Sequence, residues 1–403
     1  MQQISSFLLL LVISCTSPNQ SSPNNDAGSD HSDLIEHFEI KTPDYHISDA
    51  WLNDADVVES NPVISIRIID VGQGNATLIE IPDEFSILFD SGRKLGDSEH
   101  IYQLLENKNP QDTVFITSHY DSDHIGAMDR IICGADGLPG RGGIDDDNDG
   151  ITDGRIDGNE YGWSGSDDFM PGLIIDRGLE ELPDTNDMLE YTTSASQVRT
   201  TAWAGQIIPV ALPGLKIEIV ASDGHLIDDD YILPNYENDR SLALLIEYHN
   251  FKMLIPSDLP AFVEARLAQL LADRGVDLDL LHIGHHGSYT STDPLTLNLL
   301  TPETAVISVG DSPSCGSGFN TYGHPSQETL DNLAQADVLA IYQTQEGGAS
   351  METGTCNPAA EQIWPRNYQD MDKIIANSDL LITSDGSSYT VNWTNGSHTY
   401  DLD

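Results

Sequence analysis

Basic residues are scarce in this sequence: 17 Lys and Arg stand against 66 Asp and Glu, which gives a formal net charge of −49 at pH 7. Proteins that bind extended nucleic acid neutralise its phosphates with Lys and Arg, so this composition disfavours a broad nucleic-acid-binding face. A field of this sign repels polyanions and keeps a chain soluble without determining its fold. Such acidity fits a saline or Ca²⁺-containing exterior better than a cytoplasm.

Long hydrophobic runs are also missing. The apolar run at residues 7–13, which ends shortly before Cys15, is too short to span a bilayer. It is typical of a signal-peptide core, and the residues up to Cys15 resemble a bacterial lipobox, in which the Cys is lipidated. We therefore expect residues 1–15 to be a signal peptide, Cys15 to carry a membrane anchor, and residues 16–61 to form a tether and lead-in. Because no Lys or Arg precedes the run, ordinary secretion and a cytoplasmic start are the alternatives.

Cysteine is rare, with four residues in the chain. Lipidation of Cys15 would leave Cys133, Cys315 and Cys356, and outside the cytoplasm a pair of these is expected to oxidise. Cys315 and Cys356 both lie in segments rich in Gly and Ser, which favours a disulfide between them and leaves Cys133 over. Three unpaired thiols are the alternative.

The apolar pattern predicts two groups of strands, each accompanied by helices. The first group has strands at 63–71, 76–81, 85–90 and 113–117 and a helix at 99–106. The second has strands at 215–220, 241–248, 251–256, 278–283, 304–309, 380–382 and 389–393, with helices at 261–274 and 327–335. The apolar stripe of the 261–274 helix is expected to contain Phe262, Leu267, Leu270 and Leu271. Two such groups are what an α/β fold with a four-layer αββα sandwich would produce.

The residues after the buried 113–117 strand are the most informative motif. His119, Asp121, Asp123 and His124 place four potential metal ligands within six residues. Imidazole nitrogens together with carboxylate oxygens suit Zn²⁺, Mn²⁺ or Fe better than a Ca²⁺ ion bound only by oxygen. A solvated acidic loop with two chance histidines is the alternative.

This motif resembles the metal motif of the metallo-β-lactamase fold, whose commoner form has His where Asp121 stands. The Asp form is similar to the branch that contains the nuclease-like domain of the DNA-uptake competence protein ComEC. Further segments resemble that branch in the same order, at 69–76, 88–92, 254–259, 281–288 and 320–325, with Asn75 in place of an Asp. The resemblance covers residues 62–395 apart from an insertion at 131–170, and it leaves 396–403 as a C-terminal tail. It implies the four-layer αββα metallo-β-lactamase sandwich.

The resemblance also implies a binuclear site for two divalent transition metals, Zn or Mn, which would polarise a phosphoryl or carbonyl oxygen and lower the pKa of water. The expected ligands are His119, Asp121, Asp123, His124, Asp258 as a bridge, and His285, with His286 as the alternative to His285. Asp123, His286, Tyr322 and His324 are the candidate catalytic residues, although a structural role for His324 is also open. Asp90 is expected to brace the ligand loop by hydrogen bonding, and Asp239 is a weak candidate for an additional ligand.

These expectations lead to a function. The chain is predicted to be an exported, metal-dependent phosphodiesterase or nuclease-like hydrolase. Its acidic charge favours a small phosphodiester or nucleotide-like substrate over extended nucleic acid. The alternatives are a lactam or lactone hydrolase and a non-catalytic, Ca²⁺-stabilised surface binding protein.

The insertion at 131–170 differs in character from the rest of the chain. Its carboxylates alternate along the chain before a Gly, a spacing that places oxygen ligands around Ca²⁺. The predicted ligands are Asp145, Asp147, Asp149, the Ile151 carbonyl, Asp153 and Asp157. Because Ile156 stands where an EF-hand has its Glu, the loop looks more like the calcium loops of thrombospondin type 3 or dockerin repeats. A solvated acidic loop is the alternative, and otherwise Ca²⁺ would order the insertion as a lid beside the metal centre.

Overall fold

The computed structural model describes residues 61–82, 85–93, 97–133, 169–196, 198–310, 323–347 and 371–402. They belong to one compact unit, Glu59–Asp403. Several predictions concern residues outside these ranges: the anchor at Cys15, the Cys315–Cys356 disulfide, the catalytic Tyr322, and the calcium ligands Asp145, Asp147, Asp149, Ile151, Asp153 and Asp157.

The described residues form the following strands and helices, numbered in chain order. The strands are β1 (Ile64–Ile68), β2 (Thr77–Ile81), β3 (Phe85–Phe89), β4 (Thr113–Thr117), β5 (Leu173–Asp176), β6 (Arg199–Thr201), β7 (Gln206–Ile208), β8 (Leu215–Ser222), β9 (His225–Leu226), β10 (Asp230–Tyr231), β11 (Ala243–Tyr248), β12 (Phe251–Ile255), β13 (Leu280–His282), β14 (Thr304–Ile307), β15 (Ala340–Gln343), β16 (Asp372–Ile375), β17 (Leu380–Ser384), β18 (Ser388–Trp393) and β19 (Gly396–Asp401). The helices are α1 (Asp97–Leu105), α2 (Ser122–Ile125), α3 (Met128–Cys133), α4 (Asn186–Ala195), α5 (Ala261–Asp273), α6 (Pro294–Leu300) and α7 (Gln327–Gln335).

The strands form two sheets. The first has the order β19-β18-β17-β1-β2-β3-β4-β5-β6, and the second has the order β10-β9-β8-β11-β12-β13-β14-β15-β16, with β7 beside β8. Strands β3 to β6 are parallel in the first sheet, and β12 to β16 are parallel in the second. Parallel strands covered on both faces read as continuous apolar runs, and all five residues of β4 are buried.

The two sheets pack face to face with helices outside. Between them lies a core that includes Ile66 and Ile116 of the first sheet and Ile246 and Val306 of the second. Residues of α5, α6 and α7 cover the outer face of the second sheet, and residues of α1, α3 and α4 cover that of the first. The predicted four-layer αββα sandwich is therefore confirmed.

The structure departs from the predictions at two places. Phe262 is 55% exposed, and the buried stripe of α5 contains Val263 with Leu267, Leu270 and Leu271. At about 100° per residue, Phe262 lies about 140° around the helix from Leu267, so the two cannot share a face. The predicted tail at 396–403 is largely the edge strand β19, which pairs with β18 over residues 396–401.

None of the helices in the described part of the chain has the length and apolar character that crossing a membrane requires.

Candidate metal centre

The site residues lie at the carboxyl ends of parallel strands in both sheets. Asp90 follows β3 and His119 follows β4, while Asp258 lies just beyond β12, and His285 and His286 lie just beyond β13. Because β3 pairs with β4 and β12 with β13, these ends adjoin within each sheet. The face-to-face packing of the sheets then brings the two groups of side chains together.

The ligand loop after β4 is held by backbone hydrogen bonds. Asn75 N donates to the Asp123 carbonyl at 3.0 Å, and Ser91 N donates to the His124 carbonyl at 2.7 Å. Gly74 has φ +155°, and a Cβ there would come within 2.6 Å of the Asp123 carbonyl oxygen. Only glycine therefore permits this close approach, which accounts for its place in the loop after β1.

Asp90 braces His124 from beneath the loop. This fully buried carboxylate accepts from His124 Nδ1 at 2.8 Å, from Asn75 Nδ2 at 3.0 Å and from Ser118 N at 2.7 Å. With Nδ1–H donated to Asp90, the lone pair of His124 lies on Nε2, which faces Asp258. The geometry agrees with the bracing role expected for Asp90. Asn75, which replaces an Asp of the family motif, joins as a neutral donor.

Three imidazoles and two carboxylates converge above this brace. His124 Nε2 lies 3.3 Å from Asp258 Oδ1, and His119 Nε2 lies 3.9 Å from Asp258 Oδ2. His286 Nε2 lies 3.6 Å from Asp123 Oδ2 and 3.7 Å from Asp258 Oδ2. Two groups could each hold a metal ion: His119, His124 and Asp258, and Asp123, His124 and His286.

The unpartnered nitrogens of these histidines fit a metal centre. The Nε2 atoms of His119, His124 and His286 are buried without a hydrogen-bond partner, which is costly unless something else satisfies them. Ligand atoms about 2.0–2.1 Å from a tetrahedral ion lie roughly 3.3–3.4 Å from one another. The observed separations are close to that value, so the residues fit divalent metal ions with mixed nitrogen and oxygen ligands.

The structure distinguishes the two adjacent histidines after β13. His286 is 3% exposed, and its Nδ1 lies 3.0 Å from the Ser308 carbonyl oxygen, which directs Nε2 towards Asp123 and Asp258. The side chain of His285 is 27% exposed, and its Nε2 lies 3.7 Å from Asp258 Oδ2. His285 was the expected ligand with His286 as its alternative, and the geometry favours His286 as the ligand.

The remaining predicted residues lie around this cluster. Asp121 Oδ2 is 3.5 Å from His119 Nε2, but 44% of its side chain is exposed, so it lies at the rim. Asp239 accepts from the backbone nitrogens of Asn235 at 2.8 Å and Tyr236 at 3.1 Å, so it braces the turn next to the site. The His324 ring centre is 5.5 Å from that of His285.

The protonation states of the residues in and around the cluster depend on their burial and on the charged groups beside them. Burial alone would raise the pKa of Asp258, yet His124, His285 and His286 hold the pKa of this carboxyl well below its ordinary value. Burial lowers the pKa of His282 and of His324 to about 3, so both rings are neutral near neutral pH. Burial lowers the pKa of His124, but Asp258 and Asp90 outweigh burial and raise this pKa well above its ordinary value, so a metal ion that binds at His124 would displace a proton.

A polar cavity of about 460 Å³ opens over the cluster. Its lining residues are Gln73, Arg93, Asp121, Ser122, Asp123, Asp258, His285, His286 and His324. Sequence analysis missed Arg93, whose Nη2 lies 3.8 Å from Asp123 Oδ2, although its position just after the Asp90–Gly92 motif is a usable signal. The amide of Asn238, which precedes the weak candidate Asp239, lies 3.4 Å from His285 Nδ1, and His282, inside the 281–288 motif, has two buried ring nitrogens without a hydrogen-bond partner. Neither residue was assigned a role from the sequence.

Comparison with known proteins agrees with this description. Residues 69–132, which include the ligand loop, match the Metallo-beta-lactamase superfamily model. The chain is 22% identical over 300 residues to ComE operon protein 3 of Bacillus subtilis, a match that covers 70% of this chain and 32% of that protein. It is 25% identical over 278 residues to Recombination protein 2 of Haemophilus influenzae, covering 68% of this chain and 27% of that protein.

The chain thus spans about a third or less of the length of these relatives. Among solved structures, a metal-dependent hydrolase of the beta-lactamase superfamily aligns with a TM-score of 0.34 at 14% identity, covering 69% of this chain and 95% of that one. The assignment rests on the sheet order, the ligand loop and the sequence relatives rather than on that alignment. The chain therefore has the metallo-β-lactamase fold and is similar to ComEC-like competence proteins over about two thirds of its length.

Proposed function

We propose that this protein is a metal-dependent hydrolase of small phosphodiesters or nucleotide-like esters. The observation that carries the proposal is the convergence of three buried, unpartnered imidazole nitrogens on Asp258 and Asp123. His119, His124 and Asp258 would hold one ion, and Asp123 and His286 would hold a second, with Asp258 reaching both. When bound, two divalent ions would polarise a phosphoryl oxygen and lower the pKa of water at the site.

The chain's own residues would bind and orient the ester. Arg93 lines the cavity beside Asp123, where its guanidinium can donate to a non-bridging phosphoryl oxygen. Asp121 at the rim adds hard oxygen ligands, which favour Mn²⁺ more than an all-His site does. His285 and His324 also line the cavity, where their ring N–H groups could donate to substrate oxygens.

The charge distribution favours a small substrate over extended nucleic acid. Many cationic side chains in the described part of the chain are engaged by carboxylates: Arg67, Arg177, Arg199, Arg240 and Arg274. Cations paired in this way contribute little to binding a polyanion, and the net charge of −49 repels one. The described residues that line the cavity are all polar or charged, which favours a charged ester over a lactam or lactone.

Export belongs to the same proposal. We infer that residues 1–15 direct the chain across a membrane and that lipid at Cys15 anchors it there. The insertion at 131–170 would bind Ca²⁺ through Asp145, Asp147, Asp149, Ile151, Asp153 and Asp157. Both rest on the sequence patterns alone.

A substrate panel tests the proposed reaction. The protein is freed of metal by chelation, reloaded with Mn²⁺ or Zn²⁺, and assayed on bis-p-nitrophenyl phosphate, single-stranded DNA and nitrocefin. We expect metal-dependent release of nitrophenol, weak cleavage of DNA and no turnover of nitrocefin. Turnover of nitrocefin alone would identify a lactam hydrolase. Folded, metal-loaded protein that turns over none of the three would indicate a binding protein.

Arg93 provides a second, more local prediction. Replacing Arg93 by Ala should lower kcat/KM for bis-p-nitrophenyl phosphate by about 10- to 100-fold, because a charge-assisted contact to the phosphoryl group is lost. The matched control is Arg266→Ala, which removes an exposed guanidinium paired with Asp230. Equal kcat/KM in Arg93→Ala and wild type would exclude the phosphoryl contact.

A further inference from the structure

A buried carboxylate lies beneath the turn that carries His285 and His286. Glu264, in the first turn of α5, is fully buried, and α5 begins three residues after Asp258. Glu264 accepts hydrogen bonds from Thr292 N at 2.6 Å and from Thr292 Oγ1 at 3.1 Å. Burial raises the pKa of Glu264 to about 7. The carboxyl group therefore serves as an acceptor for Thr292 in a place where its charge is costly.

Thr292 needs such an acceptor because of its backbone conformation. Its φ is +50°, in the left-handed region that β-branched residues rarely adopt, and the residue is fully buried. A buried N–H without a partner costs free energy, and Glu264 supplies that partner. The Thr292 hydroxyl in turn accepts from Gly284 N at 3.1 Å, so the chain of hydrogen bonds ends at the first residue of the histidine turn.

The histidine turn is itself in an unusual conformation. His285, His286 and Gly287 have φ values of +49°, +54° and +79°, and the first two are rare for residues with a Cβ. His285 N donates to the Ser257 carbonyl at 2.9 Å, which ties this turn to the residue before Asp258. A Cβ at Gly284 would lie 3.4 Å from both Glu264 Oε2 and the Ser257 carbonyl oxygen, so the three groups are closely packed.

We propose that Glu264 is a positioning residue of the metal centre, which acts through Thr292 to hold the Gly284–Gly287 turn in the conformation that presents His286 and His285 to Asp258. This inference rests on the proposed function insofar as these side chains serve a metal site. Glu264 itself touches neither substrate nor the predicted ligands. Its contribution is to keep a strained turn in one conformation, as residues behind metal ligands commonly do.

Metal affinity of the full chain tests this role without any substrate. Chelator-treated protein is titrated with Mn²⁺ or Zn²⁺ in a calorimeter. Glu264→Ala and Thr292→Val should weaken binding by about 10- to 100-fold, the usual cost of losing a residue that orients a ligand. Glu264→Gln keeps a hydrogen-bond acceptor and Thr292→Ser keeps the hydroxyl, so both variants should bind metal within about threefold of the wild-type affinity.

The matched control is Thr296→Val. Thr296 is a fully buried threonine on α6 whose hydroxyl has no hydrogen-bond partner, so its loss should leave metal affinity unchanged. Should Glu264→Ala fail to fold, the Thr292→Val and Thr292→Ser pair carries the test. Variants that bind as tightly as wild type, even if their metal-free forms melt earlier, overturn the positioning role. Wild type that takes up no divalent metal contradicts the proposed function as well.

Discussion

Replacing Asp258 by Asn should remove most of the metal and nearly all hydrolysis. Asp258 is 4% exposed and lies within 4.0 Å of the Nε2 atoms of His119, His124, His285 and His286. Asn keeps the shape but loses the charge and one ligand oxygen, so the two ions would lose the group they share. We expect metal content to fall from about two ions per chain to at most about one. Hydrolysis of bis-p-nitrophenyl phosphate should fall by at least about 1000-fold.

The control for this change is Asp379→Asn. Asp379 also lies against a histidine, with His100 Nε2 3.0 Å from Oδ1, and it accepts from Arg67 at 3.2 Å, but it lines a different pocket. The metal content of this variant, measured by elemental analysis after dialysis, and its rate of hydrolysis should both stay near the wild-type values. Full metal content and rate in Asp258→Asn would refute the assigned centre.

Replacing Glu237 by Ala should destabilise the protein by about 3–5 kcal/mol, because it leaves a buried guanidinium without a carboxylate partner. Arg177 has no exposed side-chain surface and donates to Glu237 through Nε at 2.7 Å and Nη2 at 2.8 Å. Its guanidinium also lies over the Tyr120 ring, 4.3 Å from the ring centre. Urea unfolding followed by circular dichroism measures the loss.

Removing the arginine of this pair should lower the free energy of unfolding by less than removing the glutamate. Arg177→Met leaves Glu237, whose side chain is 14% exposed and can be hydrated, so the penalty is smaller than for Glu237→Ala. The control is Asp277→Ala, which breaks an exposed pair with Lys252 and should cost under about 1 kcal/mol. Equal losses for Glu237→Ala and Asp277→Ala would contradict this account of the buried pair.

Glu237 also connects stability to the site. Its Oε1 accepts from the backbone nitrogen of Tyr120 at 2.9 Å, between His119 and Asp121. Asn238, the next residue, faces His285. Glu237→Ala should therefore weaken metal binding as well as folding, whereas Asp277→Ala should affect neither appreciably.

Much of the fold could be predicted because its central strands are apolar along their whole length. The bounds of β4 and α7 agree with those read from the apolar pattern, since parallel strands and amphipathic helices leave strong periodic signals. The strands β6 and β19 were not predicted. Their sequences, RTT and GSHTYD, are short and polar, so their conformation depends on the neighbouring strand rather than on their own residues.

The ligand loop could be predicted because its four residues lie within one run of six and follow one strand. The choice between His285 and His286 could not, since two adjacent imidazoles have the same chemistry and backbone conformation decides which is buried. Arg177 with Glu237, and Glu264 with Thr292, were invisible for a related reason. These partners lie 60 and 28 residues apart, and each is an ordinary surface residue type in its local sequence.

The division of the centre between the two sheets has a consequence for the whole domain. The first sheet supplies His119, Asp123 and His124, and the second supplies Asp258 and His286. An ion held by both groups would act as a cross-link between the two sheets. Raising the concentration of free metal above its dissociation constant would then raise the free energy needed to separate the sheets. The supply of divalent metal would then govern the lifetime of the protein as well as its turnover.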